Sequence, residues 1–203
     1  MATSRLVDRP TAARCRGSHV AERAFGSTLA AAACGSGLPA GAGRVNSLNL
    51  SGIPLPVHEQ AMRLAIAEAR ANPAFPFGAV IVRAADRQVL AKGVNNGAAN
   101  PTFHGEIVAM NDYVAQHGNR GWGEVILYTT GEPCPMCMSA MIWAGIGGVV
   151  YGTPISRLAQ YGINQILIPS TTVSGASPFY HGFVLGRVLE VETDALFRNR
   201  KRL

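Results

Sequence analysis

At 203 residues, with 48% hydrophobic and 15% charged residues, the chain has the balance of one globular domain with a full core and is too short for two of ordinary size. No run approaches the ~20 apolar residues that a membrane span needs. The formal charge of +6 is confined to the ends: residues 1–51 are net +4, Arg198, Arg200, Lys201 and Arg202 add another +4, and 52–197 stand at −2. The body is therefore no basic surface for nucleic acid, and the basic ends read first as solvated tails.

Residues 1–51 are rich in Ala, Gly, Ser and Arg and show no sustained period beyond an Ala run. They are expected to form a low-complexity extension, disordered or a targeting segment. Arg14 to Cys34 matches an export or transit signal poorly, since Gly26 and Ser27 break its apolar part. The folded domain is expected over 52–203, with a cytoplasmic location. Of the four cysteines, Cys15 and Cys34 lie in the extension while Cys134 and Cys137 stand three apart. That usage argues against a disulfide framework and for metal or redox chemistry.

From Pro56, the apolar spacing of Met62, Ala65, Ile66 and Ala69 predicts a helix that Asn72-Pro73 ends. Phe77–Val82 and Val89–Val94 predict a hairpin around the polar turn 83–88. Asn95–Pro101 reads as a loop, and Thr102 as the N-cap of a helix from His104 to about Gln116. A strand follows at Glu124–Thr130, then a helix at Pro135–Ala144, in which Met138, Met141 and Trp143 read as core. Trp122, between glycines, reads as a loop residue or a subunit contact. A buried strand is expected at Gly148–Tyr151, a short helix at Ile155–Tyr161, a fifth strand at Gln165–Ile168, a loop at Pro169–Ser177 and a last helix at Val188–Arg200. Such alternation implies an α/β fold, a three-layer α/β/α sandwich with parallel members in its sheet.

The chemistry gathers in two short stretches. His104 and Glu106 form H-x-E at one predicted helix start, and Pro133, Cys134 and Cys137 form P-C-x-x-C at the next. His104, Cys134 and Cys137 give three zinc ligands, and a catalytic site leaves the fourth position to water. The metal lowers the pKa of that water towards ~7, and Glu106, in the same turn as a ligand, is placed to take the proton and return it to a leaving group. Singly these signals are weak, because C-x-x-C is also a structural zinc half-site or a redox pair. Their conjunction across one intervening strand points to hydrolysis. The reading from another class is a zinc-stabilised scaffold without turnover, against which the free carboxylate of Glu106 argues.

His104-Gly105-Glu106 and Pro133-Cys134-Pro135-Met136-Cys137 resemble the cytidine deaminase superfamily. The resemblance continues through PFGAVIV, GVNN, NPTFHGEI, LYTTGEPCPMC, AMIWAGI and VVYG, and so covers about 56–200. It implies a five-stranded sheet with helices on both faces, one Zn2+ per subunit, a homodimer, and hydrolytic loss of ammonia from a nucleobase or nucleoside with Glu106 as proton shuttle. It also implies substrate contacts at Asn95, which matches an Asn that bonds the ring in many relatives, and at Phe179 among the C-terminal aromatics. Phe103, Gly105 (commonly Ala in relatives) and Glu132 are further candidate contacts. Three substrate classes compete. Tyr161-Gly162-Ile163 and Phe179-Tyr180 suggest a guanine-type purine, Asn100-Pro101-Thr102 and the basic ending suggest transfer-RNA adenosine, and H-G-E-I with LYTT suggests cytosine. The slightly acidic body argues against RNA, so a free base or nucleoside is expected, with purine ahead of pyrimidine.

Overall fold

The computed structural model describes residues 52–202, so the expectations for residues 1–51, with Cys15 and Cys34, lie outside the described residues. Helix α1 (Leu55–Ala69) leads into strands β1 (Gly78–Arg83) and β2 (Val89–Val94), then helix α2 (Gly105–His117) and strand β3 (Val125–Gly131). Helix α3 (Pro135–Ala144), strand β4 (Gly148–Thr153) and helices α4 (Ile155–Gln160) and α5 (Ser170–Gly175) follow, before strand β5 (Phe183–Leu185) and helix α6 (Glu190–Arg198). The sheet runs β2-β1-β3-β4-β5. β1 is antiparallel to β2 and β3, whereas β3, β4 and β5 are mutually parallel.

Period-2 alternation divides each strand between two cores. Ala79 and Ile81 of β1, Leu127 of β3 and Val149 of β4 pack with Ala109 and Tyr113 of α2 and with Cys137, Met138 and Met141 of α3. Val80, Ile126, Tyr128 and Val150 pack on the other face with Ala61, Met62, Ala65 and Ile66 of α1 and with Leu196 of α6. β3 is buried along its whole length because helices cover it from both sides. This is the expected three-layer sandwich. The core elements stand where periodicity placed them, and α1 ends ahead of Pro73, whose ring cannot continue a helix.

Four expectations are corrected. The fifth strand is Phe183–Leu185, not Gln165–Ile168; Ile166 and Leu167 are 57% and 68% exposed, so that apolar run has no core to enter. Part of the presumed loop, Ser170–Gly175, is helical behind Pro169. Trp143 is not core but 79% exposed, stacked on Phe179 with ring centroids 5.1 Å apart. Thr102 is not the N-cap of α2: its N–H and hydroxyl both turn back to Asn100 Oδ1, and His104 takes the cap position. Trp122 lies in a single 3-10 turn and is buried against Tyr113.

Candidate active site

Strand β2 delivers the chain to α2, and β3 delivers it to α3. His104 and Cys134 are the extended N-cap residues of those helices, and neither side chain caps its helix. Both are thereby free to face each other, and Cys137 joins them from the first turn of α3. His104 Nδ1 lies 3.6 Å from Cys134 Sγ and 3.5 Å from Cys137 Sγ, and the two sulfurs are 3.7 Å apart. A tetrahedral ion with zinc–ligand bonds of ~2.0–2.3 Å holds its donors about 3.5–3.8 Å apart. The three side chains therefore fit one zinc, and they form the metal-binding cluster found among the described residues.

Glu106, in the first turn of α2, is 2% exposed. Its Oε1 accepts a 3.3 Å hydrogen bond from the Thr129 hydroxyl of β3, while Oε2 is buried without a partner among the described residues. An orphaned carboxylate oxygen beside three metal donors suits a polar atom carried by metal or substrate. Burial raises the Glu106 carboxyl above the ordinary carboxylate range, which suits a group that must both take and give a proton. The hydrogen bond with Cys137, and then that with His104, holds the Cys134 thiol down at about 4. The same Cys134–Cys137 hydrogen bond, reinforced by burial, pushes the Cys137 thiol up.

A cavity of about 1120 Å³ opens onto this centre, and Glu106, His104 and Cys134 line it. Asn95 lies on its wall: its N–H donates to Phe77 O at 2.9 Å, and its Oδ1 accepts from Gly97 N at 3.2 Å. Gly105 sits at the helix start against the Phe77 backbone, where a Cβ would collide with the Phe77 carbonyl oxygen. Its smallness sets how closely α2 approaches β1. Phe103 and Phe179 are not brought to the cavity wall. Phe103 is half-buried and closes the 96–103 loop through its own backbone, its C=O accepting from Asn96 N and its N–H donating to Asn100 O.

Glu132 lines the cavity, but both its oxygens are committed. Oε2 accepts from Ile155 N at 2.8 Å, and Oε1 accepts from Ser170 N and Ser170 Oγ, each at 2.8 Å. It thus ties the zinc loop to the starts of α4 and α5, between which the far cavity wall runs. That wall supplies Asn164 and Gln165, and Asn72, Asn96 and Phe77 complete the lining near Asn95. Sequence reasoning missed these residues. The one signal for Asn164-Gln165 is a pair of amides set inside an apolar stretch.

A family model for the cytidine and deoxycytidylate deaminase zinc-binding region matches residues 56–153. Guanine deaminase of Bacillus subtilis (strain 168) is 32% identical over 149 residues, covering 70% of this chain and 94% of that protein. A solved structure of guanine deaminase from Nitrosomonas europaea shares the fold with a TM-score of 0.60 at 21% identity, over 82% of this chain and 94% of that one. A transfer-RNA A34 deaminase structure gives 0.57 at 26% identity, over 68% and 98% of the two chains. The match to the Bacillus protein spans nearly all of its length and the three donors converge on one point, so the chain belongs to the cytidine and deoxycytidylate deaminase zinc-binding family.

Proposed function

We propose that this protein removes the exocyclic amine of a purine by hydrolysis, with a guanine-type ring as the first candidate. The observation that carries the reading is the buried, unpartnered Oε2 of Glu106 beside His104, Cys134 and Cys137, opening onto a cavity lined with side-chain amides. Zinc held by those three residues supplies a Lewis acid that makes water a nucleophile at neutral pH. Glu106 accepts the water proton at Oε2 and returns it to the departing amine. A C–O bond forms at the ring carbon, the C–N bond breaks, and one ammonia leaves for each water consumed. Thr129 holds Oε1, so that Oε2 keeps its direction through both proton transfers.

The amides of Asn72, Asn95, Asn96, Asn164 and Gln165 offer donors and acceptors without charge, as the edge of a neutral purine requires. The near-complete coverage of the Bacillus guanine deaminase supports a purine ahead of cytosine. Transfer-RNA adenosine is the second reading, favoured by the basic chain end on the cavity wall. We also propose a homodimer, supported by the exposed stacked pair Trp143 and Phe179, an apolar surface that a second copy would cover. Ammonia release by the zinc-loaded protein from guanine, guanosine, guanosine 5′-monophosphate, adenine, cytosine and an anticodon stem-loop tests the reading. Turnover of guanine, guanosine or its monophosphate is expected. Turnover of cytosine alone, or of no member of the panel, would overturn it.

A further inference from the structure

The basic residues near the end of the chain lie on the wall of the catalytic cavity, although composition alone reads them as a solvated tail. Arg200, Lys201 and Arg202 share that wall with Glu106. They are fastened from two sides. The Arg200 guanidinium donates to the carbonyl oxygens of Tyr161 at 3.0 Å and Gly162 at 3.3 Å, and the Lys201 N–H donates to Pro73 O at 2.9 Å. Pro73 follows α1 and Tyr161-Gly162 follows α4, so the tail bridges two segments of the cavity mouth.

Arg200 is occupied by those carbonyls. Lys201 and Arg202 are exposed and make no ion pair among the described residues. The acids on the cavity wall are Glu106 and Glu132, both buried, and Glu132 is already saturated by Ile155 and Ser170. Two cations with no ion pair among the described residues thus stand at the mouth of a pocket lined with side-chain amides. A neutral ring has no use for them. The cavity exceeds the ~300–1,000 Å³ usual for small-molecule sites, which leaves room beyond a purine ring. A phosphate matches both cations, since arginine grips it through two parallel N–H bonds and lysine binds it as a point charge.

We propose that Lys201 and Arg202 form a phosphate subsite, and that the substrate is a nucleoside monophosphate bound with its ring towards Glu106 and its phosphate at the mouth. The proposal rests on the purine reading above for the identity of the ring. A phosphodiester of RNA carries the same chemistry, but a stem-loop needs many phosphate contacts over a wide surface, and residues 52–197 are net −2.

The test compares the zinc-loaded full chain with its Lys201→Ala/Arg202→Ala variant at low ionic strength. Calorimetric binding of guanosine, guanosine 5′-monophosphate, cytidine 5′-monophosphate and an anticodon stem-loop is measured beside ammonia release from each. Wild type is expected to bind the purine monophosphate about ten-fold or more tightly than guanosine, with a margin that shrinks as salt is added. In the double variant the margin closes. Equal affinity for guanosine and its monophosphate in wild type, or a margin that survives the substitutions, overturns the subsite. Tight binding of the stem-loop with none of either monophosphate overturns it in favour of RNA. Should no purine be deaminated while monophosphates still bind through Lys201 and Arg202, the purine reading fails and the phosphate subsite stands.

Discussion

Glu106 and its two unlike oxygens set the terms at the scale of the residue. Oε1 is held by Thr129, and Oε2 has no protein partner among the described residues. Replacing the carboxylate with an amide of the same shape removes the proton acceptor and leaves His104, Cys134 and Cys137 untouched. Glu106→Gln is therefore expected to retain a full equivalent of zinc by metal analysis and to release ammonia about 10²–10⁴-fold more slowly. His104, Glu106, Cys134 and Cys137 are legible in the sequence because each pair belongs to one helix start, where short spacing fixes proximity. Asn164, Gln165, Lys201 and Arg202 are not legible, because only the folded chain brings them to the same cavity. Phe179, named from its place near the chain end, stacks on Trp143 instead.

At the scale of the element, Glu132 is the tie between the zinc loop and the opposite wall. It is 5% exposed, and its carboxylate accepts from the first residues of both α4 and α5. Glu132→Ala strands those buried donors, at a cost of about 2–4 kcal/mol in urea unfolding. Because the segment carrying Asn164 and Gln165 runs between the two released helices, KM for the purine is expected to rise more than kcat falls. A change confined to kcat would instead make Glu132 a participant in the chemistry. Helices α1, α2, α3, α4 and α6 and the four core strands are readable because apolar period and burial coincide in them, whereas the short, polar α5 offers no such period. Period and burial diverge at Ile166 and Leu167, which are apolar and exposed, and in β5, whose three half-buried residues are too few to display a period. Thr102 illustrates a local competitor: its side chain and backbone both find Asn100 before the helix begins.

For the whole molecule, the buried pair His58 and Tyr128, with His58 Nδ1 3.0 Å from the Tyr128 hydroxyl, joins α1 to the central strand. Burial holds the His58 imidazole below its ordinary value of 6.5, so the unfolded chain binds the proton more readily than the folded one. Stability from this group is present above the unfolded value, falls as pH drops through about 6.5, and levels off below the folded value. The urea midpoint is accordingly expected to fall between about pH 7.5 and pH 5, with a shallower slope in His58→Gln. Trp143, 79% exposed on α3, carries the assembly proposal: Trp143→Lys should leave the melting temperature almost unchanged and convert a dimer into a monomer by light scattering. Hydrolysis at the Glu106 centre is tested by turnover of guanine in oxygen-18 water by wild type and by Glu106→Gln, each loaded with zinc. One labelled oxygen in the product is expected for each ammonia released by wild type, with near-loss of both on substitution. Ammonia released without label, or an unchanged rate in Glu106→Gln, would contradict hydrolysis at this centre.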